Sequence, residues 1–324
     1  MSSSTSSSKV ASRTAEYRKL GSMLLFFVLL FCFLLLLEVT MQHGIKQNRK
    51  GEVGKVNGII SHELDADVAV FGSSVALVHF DPAIISNITG LECYNFGLNG
   101  TTLPQYHGVL SEYLSYAKAD IIVLAGTASE LAARNQLYEV YKFRHHLDNE
   151  LIYNSLYALD PALTWRLKYA PFYSFSIYNK AYYQAALQGL LGKAQTVEEQ
   201  KGFSPEHRTW KAQARLQQGR IPEEIDTASI ALYAQKIREI NAKGKKAVLV
   251  LTPIFVEGQH RMAFLPKLRV IYRQLAGEEN YFFDFTRSTI CQNPELFYNN
   301  THLNYKGAAL FSEEFARQLN AVVL

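Results

Sequence analysis

Short apolar runs, most of them closed by Gly or Pro, recur along this chain and set the terms of its fold. They are Asp67-Val-Ala-Val-Phe71, Cys93-Tyr-Asn-Phe-Gly97, Asp120-Ile-Ile-Val-Leu-Ala125, Gly244-Lys-Lys-Ala-Val-Leu-Val-Leu-Thr252 and Asn280-Tyr-Phe-Phe-Asp-Phe285. Runs of this length and composition, ended by Gly or Pro, read as strands. The segments between them carry helical patterning. Val75 to Ile85 reads as a helix stopped or reset at Asp81-Pro82. Gln105 to Ala117, Ser229 to Ala242 and Leu265 to Leu275 read as further helices. Leu310, Phe311, Phe315 and Leu319 recur at helical spacing and predict a last helix over Tyr305–Leu319. A strand–helix–strand rhythm predicts a parallel sheet with crossover helices, hence one three-layer α/β/α domain over 65–324.

Residues 131–235 interrupt that rhythm. They hold Tyr138, Tyr141, Phe143, Tyr153, Tyr157, Trp165, Tyr169, Phe172, Tyr173, Phe175, Tyr178, Tyr182 and Tyr183, and read as a helical, aromatic-rich insertion. Three uses fit it: ordinary core aromatics, a cap over the sheet edge, or a face turned to a bilayer. Gly192 to Arg220 is polar and reads as loop.

The N-terminus sets a second constraint. Residues 1–19 are Ser-rich, carry Lys9, Arg13, Arg18 and Lys19, and read as a disordered tail. The run from Met23 to Leu37 is apolar all round. With its weakly polar flanks the span over 20–41 is about 20 residues, enough to cross a bilayer as a helix. A cleaved signal peptide is the rival, but no small-x-small site follows, since the chain continues Glu38-Val39-Thr40-Met41-Gln42-His43. Residues 42–64 read as a polar stalk. Lys46, Arg49, Lys50 and Lys55 follow the span, so the charge bias is nearly balanced. The expectation is a single-pass protein with its body on the periplasmic or extracellular side.

The net charge of +4 and scattered Lys and Arg form no nucleic-acid footprint. Of the cysteines, Cys32 lies in the span, leaving Cys93–Cys291 as the one intrachain pair the body can form. Neither zinc-site spacing nor a dinucleotide or nucleotide-binding glycine motif is present. His145-His146 is a tempting metal pair, but adjacent residues do not share a helix face. No cofactor is expected.

Two distant segments carry chemistry. Gly72-Ser73-Ser74 closes the first strand, where parallel sheets place their sites. A serine there can attack a carbonyl while backbone N–H groups at the next helix start hold the oxyanion. It is not a Gly-x-Ser-x-Gly elbow. Asn299-Asn300-Thr301-His302 precedes the last helix and offers a histidine base. A lone histidine in that place is also an ordinary capping or surface residue. His79, Asp81, His107 and Glu130 lie near strand ends and can line the same opening, or serve only structure.

Taken in order, these segments resemble the SGNH (GDSL-like) hydrolase superfamily. In style they are closest to membrane-anchored members that act in acylation of cell-envelope polysaccharides or teichoic acids. The resemblance covers about 70–135 and 245–324. It puts Ser74 in the nucleophile place, with Ser73 where many members carry Asp. Asn95-Phe96-Gly97-Leu98-Asn99-Gly100-Thr101-Thr102 resembles the second block, which implies that Gly100 donates its N–H to the oxyanion hole beside Ser74. Gly126-Thr127-Ala128 stands where the third block reads Gly-x-Asn. Asn299 to His302 stands where the last reads Asp-x-x-His.

Two positions depart from that pattern. Ala128 removes an oxyanion donor, a loss of about 2.7–4 kcal/mol where tested, with Thr127 or Ser129 as candidate substitutes. Asn299 supplies no negative charge behind His302, and a triad Asp-to-Asn change costs roughly 10⁴-fold in one protease, chiefly through the wrong tautomer. Asp284 is one acid that could serve instead. A Ser74–His302 dyad is another solution, and a decayed site that only binds glycan is a third. The resemblance thus implies an O-acyl, in particular O-acetyl, esterase or acyltransferase acting on a cell-surface glycan, with a membrane-bound acyl-donor partner. The alternative is a membrane-anchored carbohydrate-binding or assembly protein.

Overall fold

The computed structural model describes residues 4–127, 130–132, 136–192, 200–210 and 224–323. The chain opens with helix α1 (Ser4–Gln47), whose stretch Glu16–Gln47 is long and apolar enough to cross a membrane. Leu24, Leu25, Phe26, Phe27, Leu29 and Leu36 all lie exposed along it. Residues 4–19, expected as a disordered tail, belong to this helix. The expected stalk over 42–64 is also corrected. After α1 the chain turns into α2 (Gly51–Ile60), where Val53, Val56 and Ile59 recur at helical spacing and are buried. Val56 and Ile59 join the main core, so this segment is part of the body.

The body is a five-stranded sheet of β1 (Val68–Gly72), β2 (Cys93–Asn95), β3 (Ile121–Gly126), β4 (Lys246–Leu251) and β5 (Tyr281–Asp284). The strands lie in the order β2-β1-β3-β4-β5 and every pair is parallel. Successive side chains point to opposite faces. Ala69, Phe71, Ile122, Leu124 and Leu249 therefore enter one core layer, and Val68, Val70, Val123, Ala125 and Val250 the other. Two apolar layers flanking one sheet make the α/β/α sandwich that the sequence predicts.

The link from β1 to β2 is α3 (Ser74–His79) and α4 (Pro82–Thr89). The break falls at Asp81-Pro82 for a local reason. Proline fits the first helical turn, and the Asp81 carboxylate accepts from the Ala83 N–H at 2.9 Å, which starts a new helix. Helix α5 (Leu103–Tyr116) then carries the chain back over β1 to β3. The insertion follows, with α6 (Glu150–Leu159), α7 (Pro161–Tyr169) and α8 (Lys180–Leu190). It ends earlier than the expected residue 235, because α9 (Thr227–Ala242) is already the crossover helix to β4. Past β4 come the short α10 (Val256–Gln259) and α11 (Leu265–Ala276). After β5, a hairpin of β6 (Phe297–Asn299) and β7 (His302–Leu303) leads into α12 (Tyr305–Val323). Cys93 and Cys291 are both buried and free, so the bridge open to them is not formed.

This strand order reverses direction between β1 and β3. Ligand sites of doubly wound sheets sit at such a reversal, beyond the carboxyl ends of the strands. Gly72 and Gly126 mark those ends here.

Candidate active site

Gly72 is where β1 leaves the sheet. Its φ is 155°, and a Cβ there would run into the Ala125 carbonyl oxygen. Only glycine lets the two strand ends pass so closely, and the turn it makes starts α3 at Ser74, half-buried at the head of that helix. Asn95 holds the far end. Its buried amide donates to the Ala76 and Phe80 carbonyls at 2.6 and 2.9 Å, and its oxygen accepts from the Gly97 N–H.

The loop beyond β2 crosses under this turn, with the Leu98 N–H donating to the Gly72 carbonyl at 2.9 Å. At its tip Gly100 has φ +72°, and the Tyr138 ring lies where a Cβ would stand. Side chains from outside the sheet grip the loop. Glu52 on α2 accepts from the Asn99 N–H at 2.5 Å. Lys142 donates to the Asn99 carbonyl at 2.8 Å and to Glu52 at 2.6 Å, and Lys55 donates to the Gly97 carbonyl at 2.8 Å. Lys142 is fully buried, and Glu139 completes its shell at 2.5 Å. Glu139 takes a left-handed φ of 45° to do so. Sequence reading missed Glu52, Lys55 and Lys142, although the Val53, Val56, Ile59 spacing marks a helix that must pack somewhere.

His302 lies on β7, 228 residues from Ser74, and the Ser74 Oγ is 2.7 Å from its Nε2. Behind the ring, Asn299 Oδ1 is 3.0 Å from Nδ1. That same oxygen accepts the backbone N–H groups of Thr301 at 3.0 Å and His302 at 2.9 Å. An amide NH₂ cannot face two N–H donors, so the turn fixes which end of Asn299 looks at the ring. An Nδ1 that carries the proton donates it to Oδ1, with Thr301 Oγ1 a second oxygen 3.1 Å from the same nitrogen. Nε2 is left bare and accepts from the Ser74 hydroxyl, which is the tautomer a general base needs.

The pocket around the ring is layered. Buried His79 accepts the Leu303 N–H on its Nε2 at 2.9 Å, tying β7 to α3. Tyr298 stacks on His302 with centroids 5.3 Å apart, and the Arg208 guanidinium lies 4.7 Å above Tyr298. Arg208 is paired with Glu206 at 2.5 Å. Burial first, and Arg208 second, push His302 down to about 4, against a smaller opposing pull from Glu206. The ring is neutral and competent as a base throughout the neutral range.

The other expected residues divide as follows. Asp284 is engaged elsewhere. It pairs with Arg269 at 2.9 Å and accepts from Thr286, and among the described residues no carboxylate bonds His302. Asp81 caps α4, and its N–H donates to Ser312. Glu130 is buried and accepts the Leu103 N–H at 3.0 Å, which holds the end of the Gly100 loop. His107 sits on α5 near Lys236 and Glu239 and belongs to the α5–α9 interface. His145 and His146 both lie 2.7 Å from Asn57 Oδ1, and no metal-binding cluster occurs among the described residues. Thr127 is buried beyond β3, while Ala128 and Ser129 lie outside the described residues.

Several of these histidines share an electrostatic consequence. Burial holds His79 and His145 well below the ordinary value, His146 to about 3, and His107 and His302 to about 4. Unfolded histidine protonates near 6.5, so between that pH and about 4 the unfolded chain binds more protons than the folded one. Their contribution is complete above about 6.5 and is lost as the pH falls through 4. The unfolding free energy of the full chain, read from urea titrations, is expected to drop steeply from pH 7 to pH 4.5, by on the order of several kcal/mol, with the urea midpoint falling in step. An unchanged midpoint would show that these rings are not buried neutral.

No family model and no curated protein matches the chain. Ten chains among solved structures match, and one of them is similar over 89% of this protein and 98% of its own length, at 12% identity and a TM-score of 0.39. It is described as a putative platelet activating factor from Streptococcus pneumonia.

Proposed function

We propose that this protein is a serine-dependent O-acyl esterase or acyltransferase anchored by α1. The supporting observation is the unbroken line from Ser74 Oγ through His302 to an Asn299 oxygen whose orientation the backbone dictates. Ser74 Oγ bonds to the acyl carbon as its proton passes to Nε2. The N–H groups of Ser74 and Gly100 are the proposed oxyanion donors. Collapse breaks the ester C–O bond, and the proton moves from Nε2 to the leaving oxygen. Water then releases the acyl group in an esterase, and a sugar hydroxyl takes it in a transferase. The finer reading is an acetyl group carried by a cell-envelope polysaccharide on the outer side of the membrane. It rests on the resemblance of the sequence blocks, as does a membrane-bound acyl donor.

Asn299 favours a second reading, a glycan-binding protein on a decayed hydrolase fold, because no charge supports the imidazolium. The 2.7 Å contact between nucleophile and base weighs against it. An activated phosphonate probe separates the two. Adduct at Ser74, found by mass spectrometry and absent from Ser74→Ala and His302→Ala, is the expected result. No adduct on folded wild-type chain would leave the binding reading in its place.

A further inference from the structure

The end of the apolar run is not where a tethered domain would be expected to begin. Glu38 is the first charged residue after Leu37, yet it is only 6% exposed. Its carboxylate accepts the Phe172 N–H at 3.2 Å and pairs with Arg144 at 3.4 Å. The insertion, rather than water, satisfies it. From there the insertion reaches further down α1. The Phe172 ring meets Phe31 edge-on at 5.1 Å. Phe31 lies six residues before Leu37, which at 1.5 Å per residue is about 9 Å deeper along the helix. Phe172 also holds a left-handed φ of 63°, a conformation costly for a bulky residue and kept only where the surroundings impose it.

The surface next to this corner in the chain is aromatic and basic. Trp165 and Tyr169 stand one helical turn apart on α7 and are 53% and 56% exposed, with rings 5.7 Å apart. Tyr169 is followed at once by the Ala170–Phe175 corner. Arg166 and Lys168 flank the pair, each lying over a tyrosine ring, Tyr173 and Tyr153. Exposed Trp and Tyr with basic residues beside them are the composition of a membrane–water interface.

We propose that the corner from Trp165 to Phe175 is seated in the bilayer that α1 crosses, with Trp165 and Tyr169 in the interfacial layer, the Phe172 ring below them among the acyl chains, and lipid as its partner. This rests on the reading of α1 as a membrane span. A helix alone would let the body swivel about its axis. A helix plus an immersed aromatic corner fixes the orientation and height of the Ser74 opening over the membrane. Among the uses of the insertion left open by the sequence, this assigns the corner to the bilayer.

Depth-dependent quenching tests the proposal on the full chain in phosphatidylcholine–phosphatidylglycerol vesicles whose acyl chains carry bromine at shallow or deep positions. The sequence holds two tryptophans, and Trp210 is buried, so the difference between wild type and Trp165→Phe reports Trp165. Its emission is expected to be blue-shifted, quenched several-fold more by shallow than by deep bromine, and shielded from aqueous iodide. A Trp165 signal indifferent to bromine overturns the proposal, whether iodide reaches the ring (a water-facing cap) or not (a protein contact). Leu30→Trp in the Trp165→Phe background reports α1 separately. Deep quenching there with none at Trp165 sinks the corner alone. No quenching there sinks the span and the proposal together.

Discussion

Asn299→Ala is expected to slow phosphonylation of Ser74 by about 10³–10⁴-fold, whereas Asn299→Asp is expected to accelerate it by about 10–100-fold. The asymmetry follows from what Asn299 supplies. Its oxygen takes the Nδ1 proton of His302 and the N–H groups of Thr301 and His302. Alanine removes all three acceptances, so the tautomer loses its nearest acceptor, with only Thr301 Oγ1 left beside Nδ1, and the turn that carries the ring loses its closure. The effect belongs with triad variants that leave a wrong tautomer, about 10⁴-fold. Aspartate keeps every acceptance and adds the charge that stabilises the imidazolium in the transition state. In the protease where a triad Asp was changed to Asn, the loss comes chiefly through the wrong tautomer, as when an amide turns its NH₂ to the ring. Here two backbone donors prevent that, so charge is the quantity left to restore. The pH profile gives an independent check. With the base held near 4, the acid limb of the wild-type rate lies near that pH. A carboxylate behind the ring favours the protonated form, and the limb of Asn299→Asp moves upward by a unit or more. An Asp variant no faster than wild type, with an unmoved limb, would place the missing element elsewhere.

How much of this was legible in the sequence depends on the range of the signal. The strands were legible because apolar runs buried on both faces leave a local signature, and the Asp81-Pro82 break because a cap and a proline act within one turn. Helix α2 was read as part of a polar stalk, and its glycines carry no apolar signal of a packed helix. Their cause is contact: a Cβ on Gly54 would run into the Arg49 backbone, and one on Gly58 would meet Leu64 at 2.5 Å. Ser74 and His302 were both singled out, but only the order of blocks linked residues 228 apart. The hairpin that presents His302 went unseen because two- and three-residue strands carry no periodicity. Asp284 was a reasonable substitute acid by type, and its pairing with Arg269 is tertiary information. The orientation of Asn299 is a property of a turn, invisible until the backbone donors are placed.

Lys142→Met is expected to destabilise the folded chain by about 3–5 kcal/mol, the cost of breaking a buried ion pair from one side. An ammonium has three donors, and here they go to Glu52, Glu139 and the Asn99 carbonyl with no part of the side chain exposed. Without it two partly buried carboxylates face each other and the carbonyl beside Gly100 loses its donor. Glu52→Gln is milder, about 1 kcal/mol, because Glu139 still balances Lys142 and the new amide oxygen can take the Asn99 N–H. The informative variant removes every charge together. Glu52→Gln, Glu139→Gln and Lys142→Met combined should recover most of the stability in a urea titration, since a neutral cluster carries no uncompensated charge. Phosphonylation of Ser74 per folded molecule should nonetheless stay reduced, by about tenfold, because nothing then clamps the Asn99 carbonyl and Gly100 loses its fixed N–H direction. Recovery of both stability and rate would mean that the cluster only holds α2 to the body. Recovery of stability alone ties α2 to the geometry of the Gly100 loop.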